Sequence, residues 1–575
     1  MQALQLPTVF QQSYLNSESY PQNLFYKSTL TYRTALQAFK DRLDAVAPDL
    51  FVNDESKVEV SFRDLQNDSG RALEKWNIHT ASKLTDWLGL ETVTDPADAT
   101  KLVIVARKAD PKSRFIYVYG EHSRAPLKIT RDMLAQILTF HQVMPIYLDF
   151  ISVFGAQSEP RDRRFSGFRE QSTLSDPPRG LAIPSLGRSG RQYQLCYNLK
   201  SVALVSKDAT NPRFHEWSIR PAVIHHQFDI VTGTSLWIVT KGNRDLHERY
   251  KELTGNEARP EDRSFGTVGE CLRSSLAAHL MFCHWSTENW RWYMLWLETV
   301  IEEETSMVIL GARGPGHSYH RSKPEHVQHL QLWEDKTNEV IMVLEANVDI
   351  MKSLCRFYDG LRSNKDVPQS LKDECGLDIV TFIGQIEDMS SDFKMQIARA
   401  KLLVKITNDR KEMVIQHLQS QATERMERLN QNMEKEAIVM RIITLVTLVY
   451  LPATFVSVSH NALPVLRTPD RRLTRGRGNQ TFFSTDIIKY QNQNGGPPTD
   501  GTFSKTAMYR WLQVTLPLTL ATMGAAIVSL KLTERRRQQQ QRPAGYKLWK
   551  KWARSKADEV ELSKLFSRRS SDSVV

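Results

Sequence analysis

Cysteine is scarce in this chain, and its few cysteines form no pattern. Five of them are spread over 575 residues, and no two are closely spaced. A secreted disulfide framework needs an even, closely spaced set, and a zinc module needs Cys-x-x-Cys pairs, so both classes are excluded. The composition is otherwise that of a folded protein, with 41% hydrophobic and 25% charged residues. A chain of this length holds about three to five structural units.

Catalytic motifs are also missing. There is no Gly-x-Ser-x-Gly, no His-Glu-x-x-His and no Gly-x-x-x-x-Gly-Lys-Ser/Thr sequence, which argues against an enzyme. His225-His226 and His284 lack partners at metal-ligand spacing, and the glycine-rich stretch Gly311–Gly316 indicates a plain loop. Glu302–Glu304 is typical of a solvated helix end, with attraction of divalent cations as the alternative. No apolar signal segment is visible at the start of the chain.

Charge is absent from two stretches near the C-terminal end. Trp511–Leu530 has 20 residues and no charge, which as a helix spans roughly 30 Å, the thickness of the hydrocarbon core of a bilayer. Ile442–Ser457 is also uncharged, and only Arg441 separates it from Ala437–Met440. We predict transmembrane helices at 437–457 and 511–530. The alternative for the first is a buried core helix.

The formal charge of +11 is concentrated beside these stretches. Lys531–Val575 carries 13 Lys and Arg against five Asp and Glu, and the segment 458–480 carries five Arg and one Asp. Since the remainder is nearly neutral, no nucleic-acid partner is expected. The basic cluster at Lys531 and Arg535–Arg537 favours the cytoplasmic side. We therefore predict a multi-pass membrane protein with both termini in the cytoplasm, its basic tail (531–575) either on anionic lipid headgroups or solvated. Which membrane is involved is not indicated.

A long helical stalk is predicted before the first apolar stretch. Gly376–Glu436 contains no proline, and its apolar residues recur at steps of three and four, as on one face of a helix. The register breaks near Thr407–Glu412, so the pattern allows one helix or two. A second helical run, Glu325–Arg362, is expected to pack antiparallel to it. Together these runs define a stalk at 325–436, and its length favours an oligomer.

The part before the stalk, 1–324, mixes strand and helix patterns and is predicted to be an α/β domain. β-branched and aromatic runs predict strands at Leu102–Ala106, Phe115–Tyr119, Ser201–Val205 and Leu236–Thr240. Helices are predicted at Thr130–His141, capped by Thr130, and at Leu276–Val300. Gln157–Gln192 is rich in Arg, Ser, Gly and Pro and predicts a mobile loop. The second helix carries a group of tryptophans that is more typical of core or interface than of a ligand site: Trp285, Trp290, Trp292 and Trp296.

This order of parts resembles the CorA family of divalent-cation channels. The nearest local match is VMRIITLVTLVYLPATF (Val439–Phe455), which is similar to that family's first membrane span. HQVMPIYLDF (His141–Phe150) and HHQFDIVTGTSLWIVTKGN (His225–Asn243) are similar to a fungal CorA-like branch. The resemblance implies an α/β cytoplasmic domain followed by a long helical stalk and two C-terminal transmembrane helices. It also implies a homopentamer in a lipid bilayer that moves Mg²⁺ or another divalent cation as substrate, with no cofactor.

The resemblance assigns a pore face to the first span. Apolar rings there would gate by dewetting, and threonine would offer a hydroxyl ring. Simple packing of one helix against another is the alternative. The implied pore-lining residues are Met440, Ile443, Thr447, Leu451 and Thr454.

The sequence departs from the family at the pore mouth. The family's Gly-Met-Asn signature is absent, and Ser484-Thr485-Asp486 stands nearest to its position. A ring of Asp486 carboxylates would be more anionic than the family's Asn ring and would still concentrate cations. The departure supports a rival interpretation, a non-conducting membrane scaffold or sensor. No metal ligand is assigned, and neither is the ion, the direction of transport nor the gating ligand.

The predicted extracytoplasmic loop, 458–510, begins with an unusual segment. Val458–Gln480 places five arginines where the positive-inside bias disfavours them, and removing it would join PATFVS to TFFSTD. We hypothesise that this segment is a translated, unspliced intron. Sequencing of the mature transcript tests the hypothesis, which is wrong if every message retains the segment.

Overall fold

The computed structural model describes residues 4–25, 32–65, 74–95, 98–156, 164–177, 180–206, 216–255, 257–310, 323–459, 488–490, 501–503 and 505–540. The chain divides into two units, Met1–Gln419 and Ser420–Val575. The predicted features at Gly311–Gly316 and Ser484–Asp486, and the tail from 541 onward, lie outside the described residues.

The first unit begins with short helices and two sheets. Its helices are α1 (Thr8–Leu15), α2 (Arg33–Leu50), α3 (Ala81–Leu88), α4 (Arg131–His141), α5 (Tyr147–Ile151), α6 (Asp245–Thr254), α7 (Val268–Thr287), α8 (Trp290–Leu310) and α9 (Pro324–Ser363). Its strands are β1 (Leu4–Gln5), β2 (Val60–Leu65), β3 (Glu74–Ile78), β4 (Leu90–Asp95), β5 (Asp98–Ala106), β6 (Ser113–Tyr119), β7 (Phe168–Thr173), β8 (Gln192–Ser206), β9 (Glu216–Asp229) and β10 (Ser235–Lys241). The α/β domain is thereby confirmed, and so are the four predicted strands.

Helix α10 (Gln369–Ser459) begins in the first unit and ends in the second. It is one continuous helix, so the register break near Thr407–Glu412 does not interrupt it. The second unit also contains β11 (Ile488–Tyr490), β12 (Gly501–Phe503) and α11 (Lys505–Gln540), and β11 pairs antiparallel with β12. Within the described part of the chain, no helix is both long and apolar enough to cross a membrane.

A seven-stranded sheet in the order β3-β2-β6-β10-β9-β8-β7 organises the first unit. Only β6 and β10 run parallel among its described pairs; the others are antiparallel. Every side chain of β6 is buried, because helices cover both faces of the sheet. Phe115 and Tyr117 belong to the core shared with the later helices, and Ile116 and Val118 to the core shared with the earlier ones. A smaller sheet, β1-β5-β4, lies in the same unit.

Helix α4 begins where its sequence predicts. The Thr130 hydroxyl accepts a hydrogen bond from the Met133 amide at 3.3 Å, and Asp132 lies in the first turn. The predicted helix Leu276–Val300 is wrong as a single element, because α7 and α8 are separated at Asn289. Asn289 has a φ of 65°, which asparagine tolerates better than most residues, and its side-chain amide donates to the Val202 carbonyl at 3.2 Å.

The predicted loop Gln157–Gln192 is also wrong over part of its length. Strand β7 lies within it and pairs antiparallel with β8, with Phe168 opposite Tyr197. The strand is largely polar and sits at the edge of the sheet, so hydrophobic alternation gives no signal for it. The tryptophan interpretation is confirmed for Trp285, Trp290 and Trp296, which are buried, whereas Trp292 is exposed. All five cysteines are free.

Candidate functional site

The residues implied as pore-lining lie on α10. Their steps of three and four place them within an arc of roughly 80° around the helix axis. Met440 and Ile443 are 65% and 53% exposed, and Thr447 is exposed as well. The Thr447 hydroxyl donates to the Thr444 carbonyl at 2.8 Å. Leu451 and Thr454 follow on the same helix.

The earlier part of α10 is held against three helices of the first unit by ion pairs. The Arg273 guanidinium (α7) donates to Asp378 at 2.7 Å. Arg399 donates to both carboxylate oxygens of Glu298 (α8), at 2.7 and 2.6 Å. On α9, Glu345 pairs with Lys401 at 2.7 Å and Glu334 pairs with Lys411. Because positions earlier on α9 pair with positions later on α10, the predicted antiparallel packing is confirmed.

A small apolar cluster closes the contact between α9 and α10. Leu330 and Val414 are fully buried there, with Val327 and Leu418 packed around them. Beyond this cluster, from Glu424 to Arg441, the side chains of α10 are exposed, including Met426 and Leu429. We refer to Leu330, Val414, Val327 and Leu418 as the terminal clasp.

Truncation in the terminal clasp is expected to loosen the last turns of the α9–α10 pair. Leu330→Ala removes a fully buried side chain and should cost about 2–5 kcal/mol locally. Hydrogen exchange of the backbone amides around Val414 should therefore accelerate by at least about tenfold. Leu332→Ala is the matched control, because Leu332 lies two residues later, on nearly the opposite face of the same helix, and is 50% exposed. Equal exchange in the two variants would contradict the assignment.

Buried aromatic and histidine side chains join the seven-stranded sheet to the later helices. The His279 imidazole (α7) is 2.6 Å from the Tyr197 hydroxyl and 3.1 Å from Nδ1 of His226 (β9). His226 stacks on Trp237, with ring centroids 3.9 Å apart. His279 also contacts Tyr358 of α9, with ring centroids 5.6 Å apart. These contacts connect β8, β9 and β10 to α7 and α9 through one group of rings.

Burial keeps these histidines neutral. It lowers the pKa of His279 to about 3, and it lowers the pKa of His226 well below its usual value, with His279 and His225 adding to the effect. From the sequence alone, His225 and His226 have no partner at metal-ligand spacing. The structure supplies a partner for His226 from 53 residues later in the chain, and it is another neutral histidine, not a carboxylate.

The acidic run Glu302–Glu304 lies on α8. Glu302 and Glu303 are exposed, while Glu304 is 3.9 Å from Nδ1 of His329 on α9. Among the described residues, no group of three or more His, Cys, Asp or Glu side chains is arranged to hold a metal ion. What the described arrangement provides is a long helix fixed to a domain by ion pairs.

Comparison with known proteins identifies a matching family and similar solved structures. A family model for CorA-like transporters matches residues 12–309. No curated protein sequence matches the chain. Among solved structures, the complete CorA magnesium transporter from Methanocaldococcus jannaschii is similar at a TM-score of 0.32 and 10% identity, over 81% of this chain and 97% of that chain. Full-length CmaX is similar at 0.29 and 11% identity, over 73% and 92%. The ZntB cytoplasmic domain from Vibrio parahaemolyticus RIMD 2210633 is similar at 0.26 and 10% identity, over 61% and 98%.

Proposed function

The chain belongs to the family of CorA-like transporters, and from this we propose that it moves a divalent cation of the Mg²⁺ type across a membrane. The observation that carries the proposal is the family match over residues 12–309 of a 575-residue chain. The proposed assembly is a homopentamer whose α10 helices surround the pore.

The proposed topology uses the two uncharged stretches. In it, 437–457 at the end of α10 and 511–530 within α11 cross the membrane, and both termini lie in the cytoplasm. The sequence supports this, because Trp511–Leu530 has no charge and is followed at once by Lys531 and Arg535–Arg537.

The proposed gate is the apolar face of α10. Rings of Met440, Ile443 and Leu451 would exclude water from a narrow pore, and the hydroxyls of Thr447 and Thr454 would contact the ion or its hydration shell. At the mouth, a ring of Asp486 would attract cations. Movement of the α/β domain, carried by the ion-paired part of α10, would open or close the gate.

One observation favours a second candidate function. The chain lacks Gly-Met-Asn and has Ser484-Thr485-Asp486 instead, so the family's means of holding a hydrated ion at the mouth is missing. A non-conducting scaffold or sensor that keeps the family's architecture is therefore the alternative.

Two adjacent isoleucines on α10 test the pore. Ile443→Asn puts an amide on the proposed gate face and should raise Mg²⁺ flux into proteoliposomes roughly tenfold, which corresponds to a barrier lowered by about 1.4 kcal/mol. Ile442→Asn is the matched control, since Ile442 has the same side chain and a similar exposure of 58% but points about 100° away.

Asp486→Ala should reduce flux or change cation preference.

Flux is normalised to the amount of folded oligomer and measured with and without Val458–Gln480. A difference between the two isoleucine variants supports a pore along α10. Equal flux from both variants would contradict this pore face. No flux of any divalent cation from any form, with the protein folded and oligomeric, would overturn transport and favour the scaffold.

A further inference from the structure

A small polar cavity lies on the side of the seven-stranded sheet that faces α4. Its volume is about 30 Å³. Four buried polar atoms of its lining residues have no hydrogen-bond partner among the described residues: Arg114 Nη1, Arg188 Nη2, His141 Nε2 and Gln227 Oε1. Their side chains come from β6, the segment before β8, the end of α4 and β9. Each of the four residues is at least nine-tenths buried.

The other atoms of both guanidinium groups are committed. Arg114 donates from Nε and Nη2 to the two oxygens of Asp64, at 3.0 and 2.9 Å. Arg188 donates from Nε to Asp110 at 2.6 Å and from Nη1 to the Phe140 carbonyl at 2.7 Å. Each guanidinium is therefore fixed in orientation, with one nitrogen left over. Buried donors of this kind are costly unless something accepts from them.

The acceptors around the cavity are mostly occupied. The Asp229 carboxylate accepts from the Ser189 amide and hydroxyl, both at 2.7 Å, and from the Val231 and Thr232 amides. Asp110 Oδ1 lies 3.8 Å from Arg114 Nη1, which is beyond a hydrogen bond. Gln227 uses its amide nitrogen to donate to Gln192 and offers only its oxygen. Arg114 Nη1 and Arg188 Nη2 therefore have no acceptor among the described residues, and an occupant that accepts hydrogen bonds would satisfy both.

Size and charge restrict the ligand. A cavity of about 30 Å³ has room for something the size of one or two waters. Arg114 is already paired with Asp64 and Arg188 with Asp110, and the Asp229 carboxylate also lines the cavity, so the site has no excess positive charge for a multivalent anion. Guanidinium is weakly hydrated and favours anions that shed water easily.

We propose that this cavity binds one halide-sized monovalent anion, such as chloride, between Arg114 Nη1 and Arg188 Nη2. The anion accepts from both guanidinium groups and ties β6 to the segment before β8. His141 adds a third donor in the tautomer that carries hydrogen on Nε2. Ordered water is the competing occupant, and it would satisfy the same donors without any dependence on halide.

The test compares chloride and bromide with gluconate at constant ionic strength, using the full chain in detergent. The melting temperature of the α/β domain should rise with halide and saturate, by about 2–4 °C. Gln227→Glu places a carboxylate in the cavity and should abolish the halide response. Gln171→Glu on β7 makes the same charge change outside the cavity and should retain it.

Bromide gives a second readout that does not depend on a variant folding. Crystals of the wild-type protein grown in bromide should show an anomalous peak between the two guanidinium groups. Water alone at that position, or an equal halide response in wild type and Gln227→Glu, would overturn the proposal.

Discussion

Lowering the pH from 7 to about 4.5 is expected to unfold the α/β domain. Five of its histidines are buried and neutral: His141, His225, His226, His247 and His279. Burial lowers the pKa of His225 and His279 to about 3 and that of His247 to about 4, and it lowers the pKa of His141 and His226 further. In the unfolded chain each titrates near its usual value of 6.5.

The direction follows from proton binding. Between about pH 6 and pH 4 the unfolded chain binds protons at these histidines and the folded domain does not, so the free energy of unfolding falls as the pH falls. Each histidine contributes up to about 1.4 kcal/mol per pH unit to this fall, and five histidines together contribute about 7 kcal/mol per pH unit. Since a domain is stable by only about 5–15 kcal/mol, one to two units below pH 6.5 suffice. Above pH 6.5 these groups produce no slope.

Tryptophan fluorescence of the full chain during denaturation, repeated from pH 7.5 to 4.5, measures the slope. His225→Leu should reduce it by about one proton and move the acid midpoint down, because both His225 ring nitrogens are buried and have no hydrogen-bond partner in the part of the chain that the structure describes. His284→Leu changes an exposed histidine on α7 and should leave the slope intact. A slope below two protons in the wild type would contradict the expectation.

Helices and strands with a strong local sequence signal are the elements that the sequence predicts correctly. The run from Phe115 to Tyr119 is aromatic and β-branched, and Thr130 precedes an apolar helical pattern, so β6 and the start of α4 follow from neighbouring residues alone. Strand β7 and the break at Asn289 depend on contacts with β8, which are distant in sequence. Local periodicity carries no information about such partners.

The candidate sites also differ in whether they depend on neighbouring residues or on residues distant in sequence. Steps of three and four define the face of α10 that holds Met440 and Ile443, but periodicity does not decide what that face contacts, so the pore remains a prediction. The pairing of His226 with His279 and the convergence of Arg114 with Arg188 were not predictable from the chain. In both cases the partners are joined by strand register and helix packing, and their separations in sequence match no known motif.

Removing the carboxylate of Asp64 is expected to destabilise the α/β domain by about 3–5 kcal/mol. Asp64 on β2 and Arg114 on β6 lie opposite each other in the sheet, and both are almost completely buried, at 1% and 2% exposure. Asp64→Ala leaves a guanidinium in the core with no bonded carboxylate. The Glu91→Ala control should have little effect on stability, because its partner Arg107 and Glu91 itself are 52% and 42% exposed.

The double replacement Asp64→Leu with Arg114→Met separates two explanations of why the pair is there. If the pair served stability alone, losing it would leave the domain much weaker than wild type. We expect the double variant to be within about 1 kcal/mol of wild type or more stable, since an apolar pair avoids the desolvation of two charges. It should at the same time lose any response to chloride, because Arg114 Nη1 is absent. Denaturant unfolding in chloride and in gluconate measures both quantities, and a double variant as unstable as Asp64→Ala would show that the ion pair is retained for stability. A double variant that is as stable as the wild type but has lost its halide response would instead show that the sheet keeps this buried arginine because Arg114 Nη1 binds the anion.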